Sequence, residues 1–171
     1  MWSRIYRGIV ERVIINEREH RRQLPHFQNS LCAYLVTSVT HRRWVLPPEA
    51  RDIVYTEILR QHEETAFIHT AVVMPDHIHM VLQPLWDALR CSVSLSEIHR
   101  LIKGRSARQI NQTLRRSGSV WQDESHDYQI RSDESLIRKC EYVAANPVRK
   151  GLCASPDDWP WLFRWWINGT G

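Results

Sequence analysis

At 171 residues the chain is long enough for one domain with a real core, and no segment approaches the length of a membrane-spanning helix. A formal charge of +4, from 23 Lys+Arg against 19 Asp+Glu, is moderately basic and clustered, so a polyanion is the first partner to weigh against a merely solvated surface. Cys32, Cys91, Cys140 and Cys153 form no C-x-x-C pair, which argues against a zinc knuckle or disulfide framework; with no apolar signal core after the Arg-rich start, a cytoplasmic protein is expected.

Residues 1–30 are charged and poor in strand cues; they read as a basic N-terminal arm with a helical piece around Tyr6–Val13, ahead of a domain spanning 31–171. Cys32–Val39 is β-rich and predicts the first strand. Pro47 and Pro48 suit a helix start, and Ala50, Ile53, Val54 and Ile58 carry helical spacing to about Glu63. Ala66–Met74 predicts a second strand, and Pro75-Asp76 a tight connection into a third, His77–Gln83. Ser94 and Glu97 form a capping box for a helix with Leu95, Ile98, Leu101, Ile102, Ile110 and Leu114 on its apolar side, kinked or broken at Gly104. A short strand fits Tyr128–Arg131; then Ser132 or Asp133 caps a helix that Pro147 stops near Asn146.

The first six of these elements follow the βαββαβ order of a ferredoxin-like α+β sandwich, an antiparallel sheet with helices on one face, followed by one further C-terminal helix. The third strand is then central. Side chains alternate along it, so His77 and His79 share one face while Ile78, Met80 and Leu82 enter the core. Two imidazoles on a rigid strand make half of a metal site, although a lone H-x-H is as readily a pair of core histidines.

In the last helix the apolar stripe is Leu136, Ile137, Cys140, Val143 and Ala144. At about 100° per residue, Tyr142 and Asn146 fall roughly 40° apart and well over about 90° from the centre of that stripe. Lys139 lies on their side of the helix. A half-exposed aromatic followed by an Asn that ends the helix would look the same. Tyr128 is the other tyrosine to weigh as a nucleophile, but no Asn or Gln stands one helical turn beyond it. His69, on the neighbouring strand, reads as a core or supporting residue and not as a third ligand.

MPDHIHMVL, WQDESHDYQIRSDESL and EYVAANPVRKGL, in this order, resemble the REP-associated tyrosine transposases. These are single-tyrosine relatives, within the HUH nuclease superfamily, of the transposases of the smallest insertion sequences. The similarity runs from about Leu24-Pro25-His26 to Trp159-Pro160-Trp161. It implies a metal-dependent single-stranded DNA endonuclease and strand transferase that acts on hairpin-forming repeats through a 5′-phosphotyrosine. Tyr142 matches the nucleophile; His77, His79 and Asn146 match the ligands of a divalent cation, Mg²⁺ or Mn²⁺. Asp76 stands where the family has Asn; a carboxylate there either strengthens cation binding or repels the phosphate. The resemblance also implies a monomer using its tyrosine in cis, whereas related insertion-sequence enzymes are dimers exchanging the tyrosine helix.

The DNA contacts expected from charge are Arg21, Arg22, Arg42, Arg43, Arg100, Lys103, Arg105, Arg108 and Lys139, which would place the protein at the nucleoid. Two rival readings are a non-catalytic DNA- or RNA-binding protein of the same fold and a metal-dependent hydrolase of small substrates. In the aromatic tail, Trp159 and Trp161 are expected to pack on the domain, and Trp165 and Trp166 are the better candidates for an exposed, base-stacking role.

Overall fold

The computed structural model describes residues 32–86 and 91–168, with the side chains of residues 134, 167 and 168 left aside. The expected arm, including its helical piece and Arg21 and Arg22, lies outside the described residues. Strand β1 (Tyr34–Thr40) is followed by helix α1 (Pro48–Gln61) and the strands β2 (Ala66–Val73) and β3 (His77–Pro84). Helix α2 (Leu95–Thr113), strand β4 (Trp121–Gln129) and helix α3 (Asp133–Ala144) come next. A short helix α4 (Asn146–Arg149), strand β5 (Leu162–Arg164) and a last turn of helix α5 (Trp165–Asn168) complete the described elements. The strand order is β4-β1-β3-β2-β5, antiparallel at every junction. The ferredoxin-like order is as expected, with β3 central.

Both faces of the sheet are covered. On one, Val36, Ile78, Met80 and Leu82 pack against Ile53, Val54 and Ile58 of α1 and Ile98, Ile102 and Ile110 of α2. On the other, Val72 and Val81 pack against Leu136, Cys140 and Val143 of α3. Burying Ile78, Met80 and Leu82 against α1 and α2 forces His77 and His79 onto the α3 side, because successive side chains of a strand alternate.

Three local expectations are corrected. The fourth strand is Trp121–Gln129, not Tyr128–Arg131. Among the described residues it pairs only with β1, and it leaves most of its side chains in solvent, so it needs no apolar alternation; Trp121 anchors it, its indole N–H donating to Ser106 Oγ at 3.0 Å. Gly104 neither kinks nor breaks α2, which runs through it without interruption. Ile137, placed in the apolar stripe of α3, is 37% exposed.

The aromatic tail builds a fifth strand that covers the outer edge of β2. Thr70 Oγ1 donates to the Phe163 carbonyl at 2.8 Å. Trp159 and Trp161 pack on the domain as expected, their indole N–H groups donating to the Val73 carbonyl at 3.0 Å and to Asp52 Oδ1 at 2.7 Å. Trp165 and Trp166, expected to be exposed, are half-buried against the two cores, with Trp165 ring to ring against Phe67 at 5.2 Å. An edge strand is more stable when covered, and the tail supplies that cover.

His69 sits where the β2–β3 register shifts, between Ile68 and Thr70. Its ring meets Phe67 edge-on at 5.0 Å, its Nε2 is buried without a hydrogen bond, and burial, with the His62 charge adding, pushes its pKa down to about 4. It is a core residue, as read from the sequence. A depressed imidazole pKa means the unfolded chain takes up the proton first, so stability falls as pH drops from about 6.5 towards 4 and levels off below that. Between pH 7.5 and 4.5 this one residue is expected to cost about 2–3 kcal/mol. Denaturant titrations at both pH values check it: His69→Phe should lose less stability on acidification by that amount. Equal losses in the two proteins would place the acid sensitivity elsewhere.

Candidate active site

The β1–β3 register sets Thr37 opposite His79 and Val39 opposite His77. The two imidazoles lie with ring centroids 4.7 Å apart. His77 Nδ1 is 2.6 Å from Asp76 Oδ1, and His79 Nδ1 is 2.8 Å from Thr37 Oγ1. An ionised carboxylate only accepts, so His77 donates from Nδ1; in the uncharged form of the ring the lone pair then lies on Nε2. The Thr37 hydroxyl can play either role towards His79; with Nδ1 protonated, that ring donates to the Thr37 oxygen and leaves its own Nε2 as acceptor. Among the described residues, neither Nε2 has a hydrogen-bond partner. Burial first, then the charge of His77, pushes His79 down to about 4 against the opposing pull of Asp76; it is neutral at pH 7.

Helix α3 crosses this face. Ser132 caps it, accepting from the Ser135 N–H at 3.2 Å, and Leu136, Cys140, Val143 and Ala144 are its buried stripe. That phase brings Tyr142 to the histidines, its ring 6.2 Å from that of His79 and 39% exposed. The Arg149 guanidinium lies 5.0 Å from the Tyr142 ring centre. Asn146 begins the next short helix and is buried. Its Nδ2 donates to the Tyr142 carbonyl at 2.9 Å, leaving Oδ1 as its acceptor atom. Asn146 thus joins the group through Tyr142; neither imidazole hydrogen-bonds to it.

Tyr128 is exposed on β4, opposite Leu35 of β1, and β1 separates its strand from the histidines. Lys139 lies over the Tyr128 ring at 5.2 Å, on the same sheet face as Tyr142. The basic helix is elsewhere: α2 packs on the opposite face, so Arg100, Lys103, Arg105 and Arg108 do not line the His–Tyr face. Lys103 is committed to β4, donating to the carbonyls of Gln122 at 2.5 Å and Asp123 at 2.9 Å. Arg100 is paired with Glu97 through two bonds of 2.7 Å, whereas Arg105 and Arg108 are exposed. Arg42 is exposed at the end of β1, and Arg43 pairs with Asp76 at 3.1 Å.

The donor set fits a divalent cation. Two imidazole nitrogens without partners, both held by their Nδ1 atoms, stand beside a tyrosine, with one amide oxygen a helical turn along. Comparison with known proteins then decides the family: residues 28–146 match the family described as Transposase IS200 like. The chain belongs to that family. The matched span contains His77, His79, Tyr142 and Asn146.

Within that family, the chain is 33% identical over 96 residues to a Haemophilus influenzae protein provisionally named a REP-associated tyrosine transposase, in agreement with the resemblance read from the sequence. That alignment covers 52% of this chain and 53% of the relative, so the chain spans about half the length of the curated relative it matches. A solved structure of a REP-associated tyrosine transposase bound to a REP hairpin superposes with a TM-score of 0.64 at 21% identity, covering 85% of this chain and 82% of that one; it shows the shared fold.

Three contacts of this site escape sequence reasoning. Thr37 becomes a partner of His79 only through the β1–β3 register, and nothing in CAYLVTSV marks it. Arg43 reads as a free cation until Asp76 is seen to hold it. Arg149, three positions after Asn146, reaches the Tyr142 ring only because the chain turns into α4 there.

Proposed function

We propose that this chain is a divalent-metal-dependent single-stranded DNA endonuclease and strand transferase, with Tyr142 as nucleophile and a hairpin-forming repeat of REP type as substrate. The observation that carries this reading is the Tyr142 ring placed on the two-histidine face of the sheet, 6.2 Å from His79, in a member of this family. The hairpin substrate is supported by the fold relative that is bound to a REP hairpin.

His77 Nε2, His79 Nε2 and Asn146 Oδ1 would hold the cation. Bound there, a Mg²⁺ or Mn²⁺ ion supplies Lewis-acid polarisation of the non-bridging phosphate oxygens. The other steps belong to the chain's own groups. Asp76 and Thr37 keep both imidazoles oriented through Nδ1. Tyr142 gives up its phenolic proton and bonds to phosphorus; the bond to the 3′ oxygen breaks, and that oxygen takes up a proton as the free 3′-OH. Strand transfer is the reverse reaction with a new 3′-OH. Arg149 and Lys139, on the Tyr142 side, are placed to meet flanking phosphates, and Arg42, Arg105 and Arg108 remain available to a longer duplex stem. Because Tyr142 meets His79 of its own chain, action in cis by a monomer is the simpler arrangement. Among the described residues no helix is long and apolar enough to cross a membrane.

Incubation of the protein with a labelled hairpin oligonucleotide and Mn²⁺ or Mg²⁺, resolved on a denaturing gel, is expected to give a slow-migrating covalent protein–DNA band that does not form when EDTA is present from the start. Hairpin binding with no such band under either metal would make the chain a binding protein only.

A further inference from the structure

We infer that Asp76 is a positioning residue of the cation site: it holds His77 in the tautomer protonated at Nδ1, aims Nε2 at the cation, and is itself fixed by Arg43. This deepens the function proposed above and rests on its metal reading.

The three groups form a chain running inward from solvent. The side chain of Arg43 is 63% exposed, that of Asp76 29% and that of His77 13%. One carboxylate oxygen accepts a hydrogen bond from the His77 Nδ1–H at 2.6 Å, and the other accepts from Arg43 at 3.1 Å. Both oxygens are used, in opposite directions, so the carboxylate has little freedom to rotate.

The backbone beneath it is equally tied. The Thr40 N–H donates to the Asp76 carbonyl at 2.9 Å, and the single proton of its hydroxyl is shared between that carbonyl at 2.9 Å and the Trp44 carbonyl at 2.7 Å. The Leu46 N–H donates to the Pro75 carbonyl at 2.6 Å, and the Met74 N–H to the His77 carbonyl at 2.8 Å. Arg43 reaches Asp76 from a turn in which Arg42 and Arg43 have φ of 51° and 56°, the left-handed region that side chains other than glycine seldom occupy.

His79 has a different partner, the neutral hydroxyl of Thr37. Only His77 carries a carboxylate on the nitrogen remote from the cation, an arrangement that fixes ring orientation and raises the basicity of the coordinating nitrogen. The alternative left open by the sequence, a bare carboxylate repelling the substrate phosphate, is disfavoured because Arg43 compensates the charge.

Mn²⁺ titrations of the full chain without DNA, followed by calorimetry or by the free-Mn²⁺ EPR signal, test the inference. Asp76→Ala is expected to weaken Mn²⁺ binding about 10–100-fold. Asp76→Asn, whose amide oxygen still accepts the Nδ1 proton, should recover most of that loss, and His77→Ala should bind no Mn²⁺. Tautomer-resolved ¹⁵N spectra of the metal-free protein give a second readout. His77 should be protonated at Nδ1 in the wild type and in Asp76→Asn, and should shift towards the Nε2-protonated form in Asp76→Ala. Undiminished Mn²⁺ binding by Asp76→Ala, with His77→Ala inactive in binding, overturns the inference and leaves the metal site standing. So does a wild-type His77 protonated at Nε2. A wild-type chain that binds no Mn²⁺ removes the metal reading and the inference together.

Discussion

Tyr142→Phe is expected to abolish the covalent protein–DNA band while leaving hairpin affinity within about twofold, as an exposed single-atom deletion normally does. The substitution removes one hydroxyl and nothing else. The ring contact with His79 at 6.2 Å and the Arg149 guanidinium at 5.0 Å are both properties of the aromatic ring, so they survive in phenylalanine. Tyr142 is 39% exposed, so no cavity opens, and the stability change should stay within about 0.5 kcal/mol. Loss of the band then reports the loss of a nucleophile and not of a fold. Tyr128→Phe is the matched control. That tyrosine is also exposed and lies on the same sheet face near Lys139, but β1 stands between its strand and the histidines. If Tyr128→Phe loses the band and Tyr142→Phe keeps it, the nucleophile is the tyrosine of the edge strand β4 and not that of α3.

How much of this was legible beforehand depended on whether each element is defined by its own residues or by its neighbours. β3 announces itself: Ile78, Met80 and Leu82 alternate with His77 and His79, so its period and both of its faces follow from the chain alone. The buried stripe of α3 does the same for Tyr142, except that Ile137 lies at the stripe's margin and faces partly outward. Strand β4 is the opposite case. WQDESHDYQ has a single buried anchor, Trp121, and is a strand because the open edge of β1 offers it a ladder. Strand β5 likewise exists because β2 needs an edge partner; WPWLFRWW shows that its first tryptophans pack on the domain, but not that Leu162–Arg164 pairs as a strand, until that edge is known. Charge was least informative. Lys103, Arg100 and Arg43 resemble phosphate contacts in sequence, yet each is satisfied by an acceptor of its own chain. Only pairing geometry separates such cations from exposed ones like Arg105.

His79→Ala is expected to reduce metal-dependent adduct formation by about a thousandfold or more, since Lewis-acid assistance to phosphate chemistry contributes several kcal/mol to the transition state. Loss of activity on mutating a histidine is weak support for a metal site by itself, because a half-buried imidazole also supports the fold. The molecule contains its own control. His99 of α2 is held down to about 4, as His79 is; burial is the main cause, with the Lys103 charge adding and Asp127 opposing. Its Nδ1 lies 3.3 Å from the hydroxyl of Ser38, much as His79 Nδ1 lies beside Thr37. Residue type, burial, protonation and partner chemistry are therefore closely matched. What differs is the face: Thr37 and Ser38 are adjacent on β1, and the strand's alternation sends their histidines to opposite sides of the sheet. His99→Gln, which keeps a hydrogen-bonding group for Ser38, should retain adduct formation within about twofold, in line with substitutions away from the reacting atoms. Circular dichroism and hairpin binding verify that both variants fold. A similar loss in both would trace the effect to packing of the sheet, and a His79→Ala protein that still forms the metal-dependent band would remove that imidazole from the cation site.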